Sequence, residues 1–368
     1  MTHESSVAES ADSLERRLDE TLLWLTSIAS PIGEEKALCD AIQARLAAVK
    51  LHAPIRRVKN SIVVCLARSA EPKPHVVFAG HTDTVRTENG PARLEGGRCF
   101  GAGASDMKSG LAVMLALAET VDATKLDCHL TLVFYAREEG PFAENELGPV
   151  LDEARELDAV DLAVCLEPSD NRLHLGCNGS LHATLTFRGR TAHSARPWEG
   201  ESAITKCASF LSEVGALAPE PHTLDGLVYR TVTTVTQIKD GGRGRNVVPD
   251  VVTVNVNHRF APDTTIAEAE ARLHALVAGR AEVTLTDRSP SARPSRNHPL
   301  VDKLVRAGVA GVEPKQAWTD VARFSAKGIA AVNFGPGENA QAHQKNESTA
   351  LALVHEGYRI LARFLGVA

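Results

Sequence analysis

None of the seven cysteines, Cys39, Cys65, Cys99, Cys128, Cys165, Cys177 and Cys207, stands in a Cys-x-x-Cys pair, and their number is odd. Scattered thiols of this kind argue against a disulfide framework or a zinc–cysteine site and fit reduced core residues. No apolar run approaches the ~20 residues that a membrane span requires. The stretch MTHESSVAESADSLERR is polar and acidic, with no apolar segment behind a basic start. A secretory leader is therefore not expected, and a cytoplasmic protein is. Basic charge is not in excess either: 40 lysines and arginines face 46 aspartates and glutamates, a formal charge of −6. That balance is unlike the footprint of a nucleic-acid binder. A Walker A sequence is missing, as is the G-x-S-x-G of serine hydrolases. Gly101-Ala102-Gly103 lacks the third glycine of a dinucleotide fingerprint. Internal repeats and low-complexity segments are also missing. Neither nucleic acid nor a membrane is expected as a partner.

What is present is an ordinary globular composition, 43% hydrophobic and 23% charged over 368 residues, long enough for about two domains. Leu14, Leu18, Leu22 and Leu25 recur at helical spacing and predict a helix to about Ala29, ended by Ser30-Pro31-Ile32-Gly33. Leu38, Ile42 and Leu46 predict a second. Short apolar runs at Ser61–Leu66, His75–Ala79, His129–Ala136 and Leu162–Leu166 read as buried strands, with helices at Gly110–Val121 and Glu144–Glu156 between them. This alternation predicts a layered α/β domain with a largely parallel sheet. From about Ser180 the order becomes strand Leu181–Arg188, helix Ser202–Val214, strands Val228–Lys239 and Val251–Phe260, helix Ile266–Ala278 and strand Glu282–Thr286. That is the β-α-β-β-α-β plan of a ferredoxin-like α+β unit. Helix Pro299–Ala310, strand Ala330–Phe334 and helix Thr349–Leu365 then resume the α/β texture. The expected division is a catalytic domain of residues 1–179 and 292–368 interrupted by an inserted domain of residues 180–291.

Open α/β sheets bind ligands at the carboxyl ends of their strands. Here those ends carry His81 and Asp83, Glu138 and Glu139, and Glu167; Asp106 precedes a helix, and His343 lies in a late polar loop. Each has an ordinary reading alone: a structural histidine, a helix cap, a solvated charge pair, a strand exit, surface decoration. Together they form a set of carboxylates and imidazoles without thiolates, which suits zinc, and also cobalt or manganese. A carboxylate that bonds the other ring nitrogen of a ligating histidine, as Asp83 can for His81, fixes its tautomer. Adjacent glutamates on extended backbone point apart, so one can ligate while the other faces a substrate as a base.

The segments G-H-T-D-T-V, G-A-G-A-S-D-M-K-S-G, E-E-G, L-E-P, R-T-A-H-S-A and A-H-Q-K-N-E occur in the order and spacing of the di-zinc aminoacylase and carboxypeptidase family of metallohydrolases. The chain resembles that family over nearly its whole length. N-V-V-P-D, N-H-R-F, W-T-D-V-A-R-F and N-F-G-P-G most resemble its succinyl-removing branch. The resemblance implies two zinc ions bridged by Asp106, one completed by His81 and Glu167, the other by Glu139 and His343. It implies that Glu138 is the general base and then acid, that Asp83 orients His81, and that the Asp106–Met107 peptide is cis. His193 would reach the oxyanion from the partner subunit of a homodimer formed through the inserted domain, with Asn246 approaching from the same loop region. Arg259 would hold a substrate carboxylate, and Thr319, Gly335 and Asn339 would contact the succinyl end. The implied substrate is N-succinyl-LL-2,6-diaminopimelate. Another N-acyl amino acid (acetyl-ornithine, acetyl-lysine) or a small peptide is the alternative, and a non-catalytic binding protein is disfavoured. One position departs: Asn178 stands where related enzymes often carry arginine.

Overall fold

The computed structural model describes residues 11–367, so the reading of the first ten residues lies outside them. Two compact units emerge. The first runs to Leu175 and resumes over Ser295–Glu313 and from Arg323 onward; the second comprises Gly176–Pro294 and Pro314–Ala322.

The first unit is built on an eight-stranded sheet in the order Arg56–Val58, Ser61–Ala67, His129–Tyr135, His75–His81, Leu162–Cys165, Ala330–Asn333, Leu173–Leu175, Val312–Pro314. The four central strands, His129–Tyr135 to Ala330–Asn333, run parallel. Antiparallel partners flank them on both sides. The central strands are buried nearly throughout, which is why they read as continuous apolar runs rather than alternating ones. Helix Lys108–Thr120 is apolar on all sides and buried from Lys108 to Ala118, packed between helices Ala11–Ser27 and Leu351–Leu365. The helix expected over Glu144–Glu156 is shorter, Leu147–Glu153, between single 3-10 turns. The helix expected to reach Ala310 ends at Arg306, ahead of Gly308 at φ +105°. Three short strands, Arg93–Glu95, Arg98–Phe100 and Ser348–Ala350, form a separate small sheet.

The second unit is a five-stranded antiparallel sheet in the order Glu220–Leu224, Leu227–Asp240, Val251–Phe260, Gly179–Arg188, Glu282–Ser289. Helices Ala203–Ala216 and Ile266–Val277 pack on it through Phe187, Phe210, Val254 and Leu273. Both helices begin on side-chain caps: Ser202 accepts from the Thr205 amide, and Thr265 forms a reciprocal capping box with Glu268. The last four strands have the ferredoxin-like order. Glu220–Leu224 is an extra strand, turned back at Asp225-Gly226, both at positive φ. Residues 314–322, which pattern alone put with the catalytic domain, belong to this unit. Gln316 accepts from the Arg230 amide and donates to the Val228 carbonyl, and the Trp318 indole donates to the Pro290 carbonyl. All seven cysteines are buried, and none of them forms a disulfide. Among the described residues, no helix is long and apolar enough to cross a membrane.

Candidate metal centre

Three groups of donor atoms meet in the first unit: His81 with Asp106 and Glu167, His81 with Glu138 and Glu139, and Asp106 with Glu139 and His343. Within each group the atoms lie within 4.8 Å of one another. His81 ends the strand His75–His81, and its Nε2 is 3.2 Å from Asp106 Oδ1 and 4.0 Å from Glu167 Oε1. His343 Nε2 is 3.0 Å from Glu139 and 3.5 Å from Asp106 Oδ2. Asp106 thus offers one oxygen to each imidazole. His81, Asp106 and Glu167 are buried, while His343 is exposed.

The backbone that presents these groups is unusual in places. The Asp106–Met107 peptide is cis, and Arg137 and His343 have positive φ. Asp83 is fully buried and does more than its resemblance suggests. Its carbonyl oxygen is 3.1 Å from His81 Nδ1 and its carboxylate 3.6 Å, while the carboxylate accepts the amides of Glu138 (3.0 Å) and Glu139 (2.9 Å). One residue therefore positions the histidine, through its carbonyl, and both glutamates, through its carboxylate.

Glu347 is the residue that the sequence reading passed over. It is buried, and its carboxylate accepts the amides of Gly103 (2.9 Å), Ser105 (2.8 Å) and Asp106 (2.8 Å). It clamps the loop that carries Asp106. Burial pushes its pKa up to about 7 against the pull of those amides. The only available signal was its place in A-H-Q-K-N-E. Gly103 serves the same loop: it has φ +76°, and a Cβ there would lie 2.7 Å from Thr84 Cγ2.

The donor set fits divalent metal. Four carboxylates, those of Asp106, Glu138, Glu139 and Glu167, converge with two imidazoles, and the thiols stand elsewhere. The charges of the imidazoles point the same way. Burial opposes protonation of His81, yet contacts with Asp106, Asp83 and Glu167 hold its pKa well above the usual value. The hydrogen bond that the His343 imidazolium donates to the Glu139 carboxylate raises its pKa to about 9. The cluster draws positive charge, which a bound cation supplies.

The remaining predicted residues are distributed between the two units. His193 and Asn246 are adjacent and exposed in the second: Ser194 donates its amide to the Asn246 carbonyl at 2.8 Å, and His193 bridges to Val247. His193 Nδ1 accepts from the Ala195 amide, which leaves Nε2 to point elsewhere. Arg259 is partly buried on the strand Val251–Phe260 of that unit. Thr319 is there too, buried, with its hydroxyl unbonded. Gly335 and Asn339 are in the first unit. Gly335 is buried, its amide and carbonyl both bonded to the Ser169 hydroxyl, and a Cβ would lie 2.4 Å from the carbonyls of Leu166 and Glu167. Close packing against the strand exit that bears Glu167 explains that glycine. Asn339 is exposed, its amide on Asp170. Asn178 is buried and donates to the Arg230 carbonyl.

The profile of Peptidase family M20/M25/M40 matches residues 77–366. The chain belongs to this family. It is a metal-dependent hydrolase. It is 37% identical to a Mycobacterium tuberculosis protein provisionally named succinyl-diaminopimelate desuccinylase DapE, over 93% of this chain and 96% of the other. It is 36% identical to the succinyl-diaminopimelate desuccinylase of Corynebacterium glutamicum, over 93% of this chain and 94% of that one. Among solved structures, the aminopeptidase PepT of Bacillus cereus superposes with a TM-score of 0.76 at 19% identity, covering 95% of this chain and 98% of its own, a likeness of fold.

Proposed function

We propose that this hydrolase uses two zinc ions, replaceable by cobalt or manganese, to cleave N-succinyl-LL-2,6-diaminopimelate into succinate and LL-2,6-diaminopimelate. The observation that carries the metal part is Asp106, with one oxygen toward His81 and the other toward His343. His81 and Glu167 would hold one ion with it, and Glu139 and His343 the second. The names of the two desuccinylase relatives support the substrate. When bound, the metals supply the charge that acidifies water and polarises an amide carbonyl.

The chain's own groups do the rest. Glu138, set beside Glu139 by the Asp83 carboxylate, removes a proton from the attacking water and returns it to the leaving amine. His193, with Asn246 beside it, donates to the developing oxyanion of the partner subunit's substrate. Arg259 pairs with a substrate carboxylate, as its planar fork suits. Thr319, Gly335 and Asn339 surround the succinyl end. Asn178 brings no cation to that end, so the succinyl carboxylate is held without the usual arginine. The homodimer forms through the second unit, whose outer strands Glu220–Leu224 and Glu282–Ser289 each have, among the described residues, one edge with no strand beside it.

Turnover of N-succinyl-LL-2,6-diaminopimelate by the zinc-loaded protein, beside N-acetyl-ornithine and with metal counted per chain, tests the reading. Preference for the succinyl compound with two metals per chain is expected. Preference for acetyl-ornithine would move the enzyme to a sister activity.

A further inference from the structure

On the strand Val251–Phe260, Asn257 and Arg259 are two residues apart and so share one face. Arg259 Nε donates to Asn257 Oδ1 at 2.9 Å. The Asn257 amide nitrogen turns the other way, to His182 Nε2 at 2.7 Å on the neighbouring strand, where register pairs Asn257 with His182. Asn257 is buried and His182 partly so. Among the described residues, the terminal nitrogens of the Arg259 guanidinium make no hydrogen bond. One edge of the fork is thus fixed from inside, and both terminal NH2 groups remain for a ligand.

We infer that Asn257 and His182 are positioning residues for substrate: they fix the Arg259 fork so that it meets a carboxylate with two parallel hydrogen bonds. The inference rests on the proposed pairing of Arg259 with a substrate carboxylate and adds how the pairing is prepared. An arginine side chain has several freely rotating bonds, and one already held by its Nε loses less rotamer freedom on binding. A neutral His182 supplies the acceptor that dictates which way the Asn257 amide faces. That in turn presents Oδ1 rather than NH2 to Arg259. Burial, the largest influence, together with the Arg259 charge, lowers the His182 pKa and keeps the ring neutral, against the opposing Asp287 on the adjacent strand. Flipping the amide would set two donors face to face.

The test measures steady-state kinetics of the zinc-loaded enzyme on its carboxylate substrate and on the analogue in which the paired carboxylate is a carboxamide. Asn257→Ala is expected to raise KM for the carboxylate substrate by about ten-fold, the scale of one charge-assisted hydrogen bond, with kcat within two-fold. KM for the carboxamide should stay near that of the parent enzyme. His182→Leu should act in the same direction and more weakly, while His182→Gln, which restores an acceptor, should return KM toward the parent value. Asn257→Ser replaces Asn257→Ala if the alanine variant does not fold. Arg259→Ala separates the two levels of argument. If it raises KM for the carboxylate substrate and Asn257→Ala does not, positioning is overturned while the arginine reading stands. If Arg259→Ala leaves KM unchanged, the pairing itself fails and the inference falls with it. Equal loss of kcat on both substrates with a lowered Tm would make Asn257 a structural residue only.

Discussion

Replacing Glu347 by glutamine alters a single atom in the clamp beneath Asp106. The carboxylate accepts three amides, from Gly103, Ser105 and Asp106. Glutamine keeps one oxygen, which can still serve Ser105 and Asp106, both now on Oε1. The new NH2 then faces the Gly103 amide, donor against donor. One buried N–H is left unsatisfied, at a cost of about 1–3 kcal/mol. The loop must shift to relieve it, and Asp106 moves with the loop. Loss of an outer partner of this kind typically weakens metal binding by about 10–100-fold. Titrating the metal-free variant with zinc against a chromophoric chelator should show that weakening, and denaturant melts of the same metal-free protein should show the stability loss. If stability falls but zinc affinity stays at the parent value, the clamp does not set the position of Asp106, and the reasoning is wrong.

Glu138→Ala should keep metal content near that of the parent while turnover drops about 10²–10⁴-fold; loss of metal here, with retention in Glu139→Ala, would reverse the two roles. Mixed dimers of His193→Ala and Glu138→Ala chains should regain part of the activity, because one of their two sites would hold both intact residues; verified mixed dimers without activity would place His193 within its own chain or outside catalysis. Burial lowers the pKa of His75 from 6.5 to about 4. The folded state therefore favours the neutral ring, and the stability this provides is present above about pH 6.5 and lost as pH falls toward 4, up to about 3 kcal/mol. His75→Gln should flatten unfolding free energy over that window, and parallel pH profiles for variant and parent would refute the assignment.

The strand ends were legible because their apolar runs are continuous: His75–Ala79, His129–Ala136 and Leu162–Leu166 mark the central strands to within two residues. The residues following each run then fall at one edge of one parallel sheet, where the donor groups meet. Glu347 escaped because its partners are backbone amides 241 to 244 residues away, and amides leave no mark in a sequence. Strand Glu220–Leu224 escaped because Glu-Pro-His-Thr-Leu has neither an apolar run nor a clear alternation; a proline is tolerated at a sheet's edge, where this strand sits. The double duty of Asp83 was half legible. Its neighbour His81 is two residues away, but Glu138 and Glu139 reach it only through the adjacent parallel strand.

The return of residues 314–322 to the second unit has a practical consequence for taking the protein apart. Excising residues 176–294 as a recombinant fragment would strip away Gln316 and Trp318, exposing the Arg230 amide and the Val228 and Pro290 carbonyls that they cover. A fragment that keeps this sheet intact must be spliced, with 314–322 grafted after Pro294 through a short linker. The same detour gives the intact chain an optical reporter. Of its three tryptophans, Trp24 lies in the first unit, Trp198 is three-quarters exposed, and Trp318 is partly buried with its indole on Pro290. A chain with only Trp318 retained would report by its emission when the second unit opens, although the residue is numbered among those of the first.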